Sequence, residues 1–233
     1  MDNKTNTVQF PYLYETHLHT KEASACGNHT AEEMVYAYKE AGYTGIMVTD
    51  HFFRGNCAIP RELPWDEWVE RFCEGYRSAK KRGEELGLDV FFGWEFGLGG
   101  GTEFLTLGLG EDWLLANPDV CRMDPVTYST KVHEAGGYLI HAHPFLEASY
   151  VPCIRLFPRL VDAVEVLNAP KGDFINARAA EYALAYDLTQ TAGSDSHNDR
   201  WHAFAAVSVP HRPASVHDLI SMIRSREHSP VRM

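Results

Sequence analysis

Short apolar runs alternate with longer helical patterns along almost the whole 233-residue chain. After "YLYETHLH" comes "TAEEMVYAYKEAG", where Thr30 can cap a helix, Glu33 stands three residues later and Gly42 can end it. "GIMVTD" reads as a buried strand, "PWDEWVERFCEGYRSAKKRGEELG" as one long amphipathic helix, and "DVFFGWE" and "EFLTLGLG" as two strands. The second half repeats the rhythm. "DPVTYSTKVHEAGG", "NARAAEYALAYDL" and "SVHDLISMIRS" carry helical spacing, while "YLIHAH", "AVEVLN", "TQTAGSD" and "AFAAVSVP" read as strands. This alternation predicts parallel strands with helices packed outside, in a closed or nearly closed α/β barrel, with an open doubly wound sheet as the alternative. The flexible turn "GLGGGT", Gly97 to Thr102, joins two strands without a long helix, so a regular eightfold barrel is not expected.

The length suits one domain spanning residues 1–233. A formal net charge of -11 leaves no basic surface that would track a phosphate backbone, which argues against an extended nucleic-acid footprint. No apolar run approaches the roughly 18 residues that cross a bilayer, and the opening "MDNKTNTVQF" lacks the apolar stretch of a signal peptide, so no membrane partner and a cytoplasmic location are expected. Five scattered cysteines without CxxC spacing read as reduced thiols.

What ends each strand is more informative: "HLH", "TDH", "GWE", "HAHP" and "GSDSH". In parallel α/β architectures the carboxyl ends of the strands form the active face. Residues two apart on a strand share a face, so His17 with His19, His141 with His143, and Asp195 with His197 can each aim two side chains at one place. Asp50, His51 and Glu95 add to the same rim. So many imidazoles and carboxylates brought together are costly in desolvation and like-charge repulsion unless a metal joins them. Imidazole and carboxylate without thiolate suit zinc, manganese or iron, and there are enough ligands for at least two ions. Two such ions can clamp a phosphoryl oxygen during in-line displacement, so hydrolysis of a phosphate ester is the natural chemistry.

These motifs, in this order from about Tyr12 to Val209, resemble the PHP family, named for the polymerase and histidinol phosphatase domains that share it. The resemblance implies a distorted (β/α)7 barrel, a di- or trinuclear centre of divalent ions and phosphoesterase activity through a metal-bound hydroxide. Carried over residue by residue, His17 and His19 match the opening HxH, His51 the histidine of "TDH", and Glu95 the strand-ending "GxE". His143 matches the "HP" histidine, and Asp195 and His197 the closing "DxH". Glu95 is expected to bridge two ions, Asp195 to lie near the nucleophilic water, and His197 to be a candidate acid for the leaving group. Asp50 is a candidate for orienting ligands.

This chain departs from the family in two places. Where many members place an Asp or His after the HxH, it has "KEASACGNH", in which Cys26 reads either as a soft ligand or as a small buried residue. Glu103 stands about where three-metal members often carry another histidine, and His141 is an additional imidazole, a candidate ligand or substrate contact. Arg54, Lys171 and Arg200 each follow an active-face strand and are candidates to clamp a substrate phosphate. The expected substrate is a phosphomonoester of a small metabolite or nucleotide. Two other functions fit such a barrel: amide or lactone hydrolysis, for which Lys171 is the sole candidate for a metal-bridging lysine, and a metal-stabilised regulatory module without catalysis.

Overall fold

The computed structural model describes residues 10–197 and 204–233. The strands are β1 (Tyr12–Leu18), β2 (Gly45–Val48), β3 (Asp89–Gly97), β4 (Glu103–Leu107), β5 (Tyr138–Ala142), β6 (Ala163–Asn168), β7 (Thr189–Gly193), β8 (Ala205–Val209) and β9 (Ser229–Arg232). They form one sheet in the order β7-β6-β5-β4-β3-β2-β1-β8-β9. β1 to β3 run parallel, as do β5 to β7, and β4 runs antiparallel to both of its neighbours. The sheet curls until β7, at one end, nearly meets β1. The His19 N–H donates to Ser196 O at 3.0 Å, and Thr16 Oγ1 donates to Ala192 O at 2.9 Å. Lower down, β8 lies antiparallel to the first half of β1 and is tied to the end of β7 by a bond from the Ala205 N–H to Ser194 Oγ at 3.0 Å. The result is a nearly closed, distorted α/β barrel.

The helices are α1 (Ala31–Glu40), α2 (Trp65–Phe72), α3 (Glu74–Leu86), α4 (Glu111–Ala116), α5 (Pro125–Glu134), α6 (Asp173–Ala185) and α7 (Val216–Arg224). Helix α1 starts with the expected capping box between Thr30 and Glu33, and Gly42 follows it at φ 84°. The single long helix expected after Pro64 is instead α2 and α3, broken at Cys73. The break lets α3 enter close to the β1 loop: a Cβ at Gly75 would lie 2.5 Å from Thr20 Oγ1. The short α4 and the C-terminal β9 had no counterpart among the sequence-derived elements.

Two packing layers position the active face. Inside the lower barrel, Tyr14, Met47, Leu105, Tyr138 and Ile140 form one apolar cluster that α7 joins through Leu219, Ile220 and Ile223. Outside, Phe52, Trp68, Phe72, Trp94 and Phe96 build an aromatic layer against α2. Polar ligands therefore have only the upper end of the barrel in which to gather.

A bulge in β1 decides what points there. Glu15 pairs with Ile46 and Leu18 with Val48, so β1 carries one residue more than β2 across this stretch. That extra residue restores the inward direction at His17, three positions after inward-packed Tyr14. Glu15 turns instead toward α1. It accepts from the Tyr38 hydroxyl at 2.8 Å, the His17 N–H at 2.7 Å and the Ser194 N–H at 2.9 Å, while burial pushes its carboxyl up to about 7.

Candidate metal centre

His17 and His19 lie at the end of β1, both fully buried, with their Nε2 atoms 3.1 Å apart. Each ring's other nitrogen is committed. His17 Nδ1 donates to Glu165 Oε1 at 2.9 Å, because a carboxylate oxygen only accepts. For His19 the argument takes one step more. Ser24 Oγ gives its single proton to Asp50 Oδ1 at 2.6 Å, so it accepts from His19 Nδ1 at 3.2 Å and from the His51 N–H at 3.0 Å. With Nδ1 engaged on each ring, both Nε2 atoms face one point, where a divalent ion that displaced any proton between them would find two imidazole ligands.

Glu95, near the end of β3, stands against four imidazoles. Its Oε1 lies 3.1 Å from His143 Nε2 and 3.2 Å from His17 Nε2. Its Oε2 lies 2.6 Å from His51 Nδ1 and 3.6 Å from His19 Nε2. His51 Nδ1 and Glu95 Oε2 approach closely, yet both are buried without a completed hydrogen bond. Such orphaned donor atoms are what an ion between them would satisfy.

Asp195 follows β7 at φ 46°, a left-handed conformation that Asp tolerates better than most residues. Its Oδ2 is held by Asn168 Nδ2 at 3.2 Å and Lys171 Nζ at 3.1 Å. The free Oδ1 then faces His17 and His19 Nε2 at 3.6 and 3.5 Å. Glu103 opens β4 and brings its carboxylate within 3.7 Å of His51 and 3.6 Å of His143. His17, His19 and Asp195 form one group able to hold an ion, His17, Glu95 and His143 a second, His51, Glu95 and Glu103 a third, and His19, His51 and His197 a fourth.

Electrostatics follow from burying so many charges together. Burial opposes protonation of His17, but Glu165, Asp195 and Glu95 outweigh it and hold its pKa well above the ordinary imidazole value. His19 goes the other way, driven well down by burial and by the His51 and His197 charges. Burial would raise Glu95 and Asp195, yet the histidines around them hold both well below the carboxylate range. Glu103 is pushed up to about 7 by burial and by the Glu95 charge. The cluster therefore draws in positive charge, and divalent ions fit it.

Sequence reasoning missed Glu165, Ser24 and Asn168. Glu165 also accepts the His143 N–H at 3.0 Å and Asn168 Nδ2 at 2.9 Å, so one buried carboxylate orients three parts of the centre. An acid inside the apolar run "AVEVLN" was the available signal. Asp50 takes no place among the ligand groups: both its oxygens are engaged by Thr20 and Ser24.

The expected pairing of His141 with His143 fails. His141 lies on the outer face of β5, with ring centroids 5.3 Å from Phe104 and 5.9 Å from Tyr182. His143 follows the strand at φ 27°, and this backbone twist turns its ring inward and away from the His141 face. Above the centre lies a cavity of about 450 Å³ whose wall includes Cys26, Arg54, Tyr150, Lys171 and His197. Arg54 is steadied by a bond to Met123 O at 3.2 Å. Arg200 lies outside the described residues. Cys26 is half-buried, not packed away; burial would raise its thiol, but hydrogen bonds with His197 and His51 bring it down to about 6.

No family model and no curated protein matches the chain. Solved structures do. A two-domain protein from Bacteroides vulgatus containing a predicted PHP-like metal-dependent phosphoesterase superposes with a TM-score of 0.73 at 15% identity, over 99% of this chain and 69% of its own. The two chains share this distorted barrel fold. A candidate metal-dependent phosphoesterase from Bifidobacterium adolescentis gives a TM-score of 0.59 at 15% identity, over 91% of this chain and 96% of its own. An amidohydrolase from Chromobacterium violaceum, solved with sulfate and without metal, gives 0.56 at 14% identity, over 79% of this chain and 87% of its own. Among the described residues no helix of this barrel is long and apolar enough to cross a membrane.

Proposed function

We propose that this barrel hydrolyses phosphate esters with divalent ions held by His17, His19, His51, Glu95, His143, Asp195 and His197, and with Glu103 as a further ligand. The observation that carries the reading is the facing pair of Nε2 atoms 3.1 Å apart, beside a carboxylate set between four imidazoles, beneath a cavity whose wall includes Arg54 and Lys171. Bound ions, whether zinc, manganese or iron, would supply Lewis-acid neutralisation of phosphoryl charge and acidify an attacking water.

The chain's own groups do the rest. Glu165 and Ser24 keep His17 and His19 in the tautomers that leave Nε2 bare. Lys171 and Arg54 stand on the cavity wall, where each can donate to the oxygens of a substrate phosphate. His197 gives its Nδ1 proton to Asp195 O at 2.8 Å, so its Nε2 is the atom available to hold an ion or to pass a proton to a leaving oxygen. A cavity of about 450 Å³ suits a small phosphorylated metabolite or nucleotide.

Amide hydrolysis is the second reading, favoured by the likeness to the amidohydrolase. Against it stands Lys171. Burial would lower its pKa, but the Asp195 charge 3.1 Å away raises it, so the amine stays an ammonium and not a nucleophile that could be modified to bridge metals. The deciding test is phosphate release from a panel of phosphorylated metabolites and nucleotides, with added manganese or zinc and with chelator, for the wild type and for His19→Ala and Asp195→Ala. Chelator-sensitive turnover lost in both variants is expected. Full activity in either variant sinks the assignment, and metal bound without turnover of any phosphoester sinks the reaction.

A further inference from the structure

Helix α6 begins without a side-chain cap. Gly172 stands at its N-cap and offers the first turn nothing to bond. Inside that first part of the helix lies Asn176, almost fully buried, although asparagine is a poor helix former because its amide competes for backbone partners. The amide reaches back over the helix start to the end of β6. Its Oδ1 accepts from the Asn168 N–H at 3.0 Å, while its Nδ2 donates to Asn168 O at 3.1 Å and to Lys171 O at 3.2 Å. These partners fix which end of the amide is oxygen, since an N–H only donates and a carbonyl only accepts. Within the turn so enclosed, the Lys171 N–H also donates to Asn168 O, at 3.1 Å.

The two residues held in this way are the ones that reach Asp195. Asn168 Nδ2 and Lys171 Nζ meet on the same oxygen, Oδ2, at 3.2 and 3.1 Å. Asn168 is fully buried and also donates to Glu165 Oε2 at 2.9 Å, so its amide protons are committed inside the protein. Lys171 differs: its side chain is 23% exposed and lies on the cavity wall. An ammonium carries three protons, so the one given to Asp195 leaves others for an oxygen in the cavity.

We propose that Asn176 is a positioning residue for substrate binding: by clamping the Lys171 turn to β6, it holds the Lys171 ammonium where it bridges Asp195 Oδ2 and a phosphoryl oxygen of the substrate. The inference rests on the phosphoesterase reading above and deepens it, because one cation then links the carboxylate that faces His17 and His19 to the group being hydrolysed. Lysine is a point charge on a flexible stem, and a free one loses that freedom when it grips an anion. Lys171 has lost it in advance, with its tip on Asp195 and its backbone tied to α6. Asn176 does not line the cavity, so its effect passes through Lys171.

Inorganic phosphate tests this without requiring turnover. The zinc-loaded protein is titrated with phosphate by calorimetry for the wild type, Lys171→Met, Asn176→Ala and the double variant, and zinc per chain is counted by elemental analysis. Lys171→Met is expected to weaken phosphate binding about 10–100-fold. Asn176→Ala should weaken it by a smaller factor, and the double variant should bind no worse than Lys171→Met alone, with the same zinc count in all four. Should Asn176→Ala fail to fold, Asn176→Asp takes its place, keeping the acceptor for the Asn168 N–H and dropping both donors. Losses that add in the double variant mean that Asn176 only supports the fold, and overturn the proposal. So does phosphate affinity unchanged in Lys171→Met, whether or not the wild type hydrolyses phosphoesters. The expected pattern without turnover of any phosphoester sustains the positioning role and overturns the reaction alone, while a wild type that binds neither zinc nor phosphate overturns both.

Discussion

Replacing His141 with Phe should stabilise the protein against unfolding, and the gain should grow as the pH falls. The wild-type ring is fully buried among Phe104, Phe157 and Tyr182, and neither of its nitrogens has a hydrogen-bond partner. An unsatisfied buried polar group costs about 1–3 kcal/mol, which Phe removes, although its slightly larger ring gives back some of that in strain. The pH dependence separates the two effects, because strain does not titrate. Burial, aided by the His143 charge, pushes the His141 imidazole down to about 3. The unfolded chain takes up this proton as the pH falls through the unperturbed value of about 6.5, and the folded protein refuses it until about pH 3. Stability of the wild type is therefore lost on acidification over that window. The loss from this group is about 0.2 kcal/mol at pH 7 and about 2 kcal/mol at pH 5. The advantage of His141→Phe should widen by the difference, about 2 kcal/mol, or roughly 4–8 °C in Tm for a chain of this size. Urea unfolding of the two proteins at both pH values, with chelator present, measures it, since titrations common to both cancel in the comparison. An advantage that stays constant between pH 7 and pH 5, or loss of metal binding in the variant, refutes the reasoning.

Two further substitutions probe the supports of the centre. Ser24→Ala removes the acceptor for His19 Nδ1 and the His51 N–H, and should weaken metal binding about 10–100-fold in competition with a chromophoric chelator; unchanged affinity would show that the hydroxyl does not orient His19. Gly193→Ala places a Cβ 2.5 Å from both His17 Cβ and Glu165 Oε1, and thermal unfolding should report a loss of about 1–3 kcal/mol together with weaker metal binding. A variant that melts with the wild type would mean that the barrel closes more loosely there.

The fold and most of the centre were legible because their signals are local. Thr30, Glu33 and Gly42 mark α1 by backbone chemistry within a few residues, and "GLGGGT" announces the hairpin that reverses β4. The ligand motifs could be read because each strand delivers its own. What escaped depends on direction and distance. His141 and His143 differ only in a twist at φ 27°, which no spacing rule carries. Glu165 looked like an isolated acid because its partners His17 and His143 are 148 and 22 residues away. The break at Cys73 answers to a close approach of Gly75 to Thr20, again a tertiary demand.

The seam of the barrel has a consequence for how the protein is made. The bond from Thr16 to Ala192 spans 176 residues, and the bond from the Ser194 N–H to Glu15 spans 179. Contacts of such separation carry the largest loop-closure entropy and form late in folding. A nascent chain that has emerged only as far as α6 already owns His17, His19, His51, Glu95 and His143 but has neither Asp195 nor the strand that closes the ring. Ion affinity would then be a property of the closed barrel, and metal would act as a latch that holds β7 in place against β1.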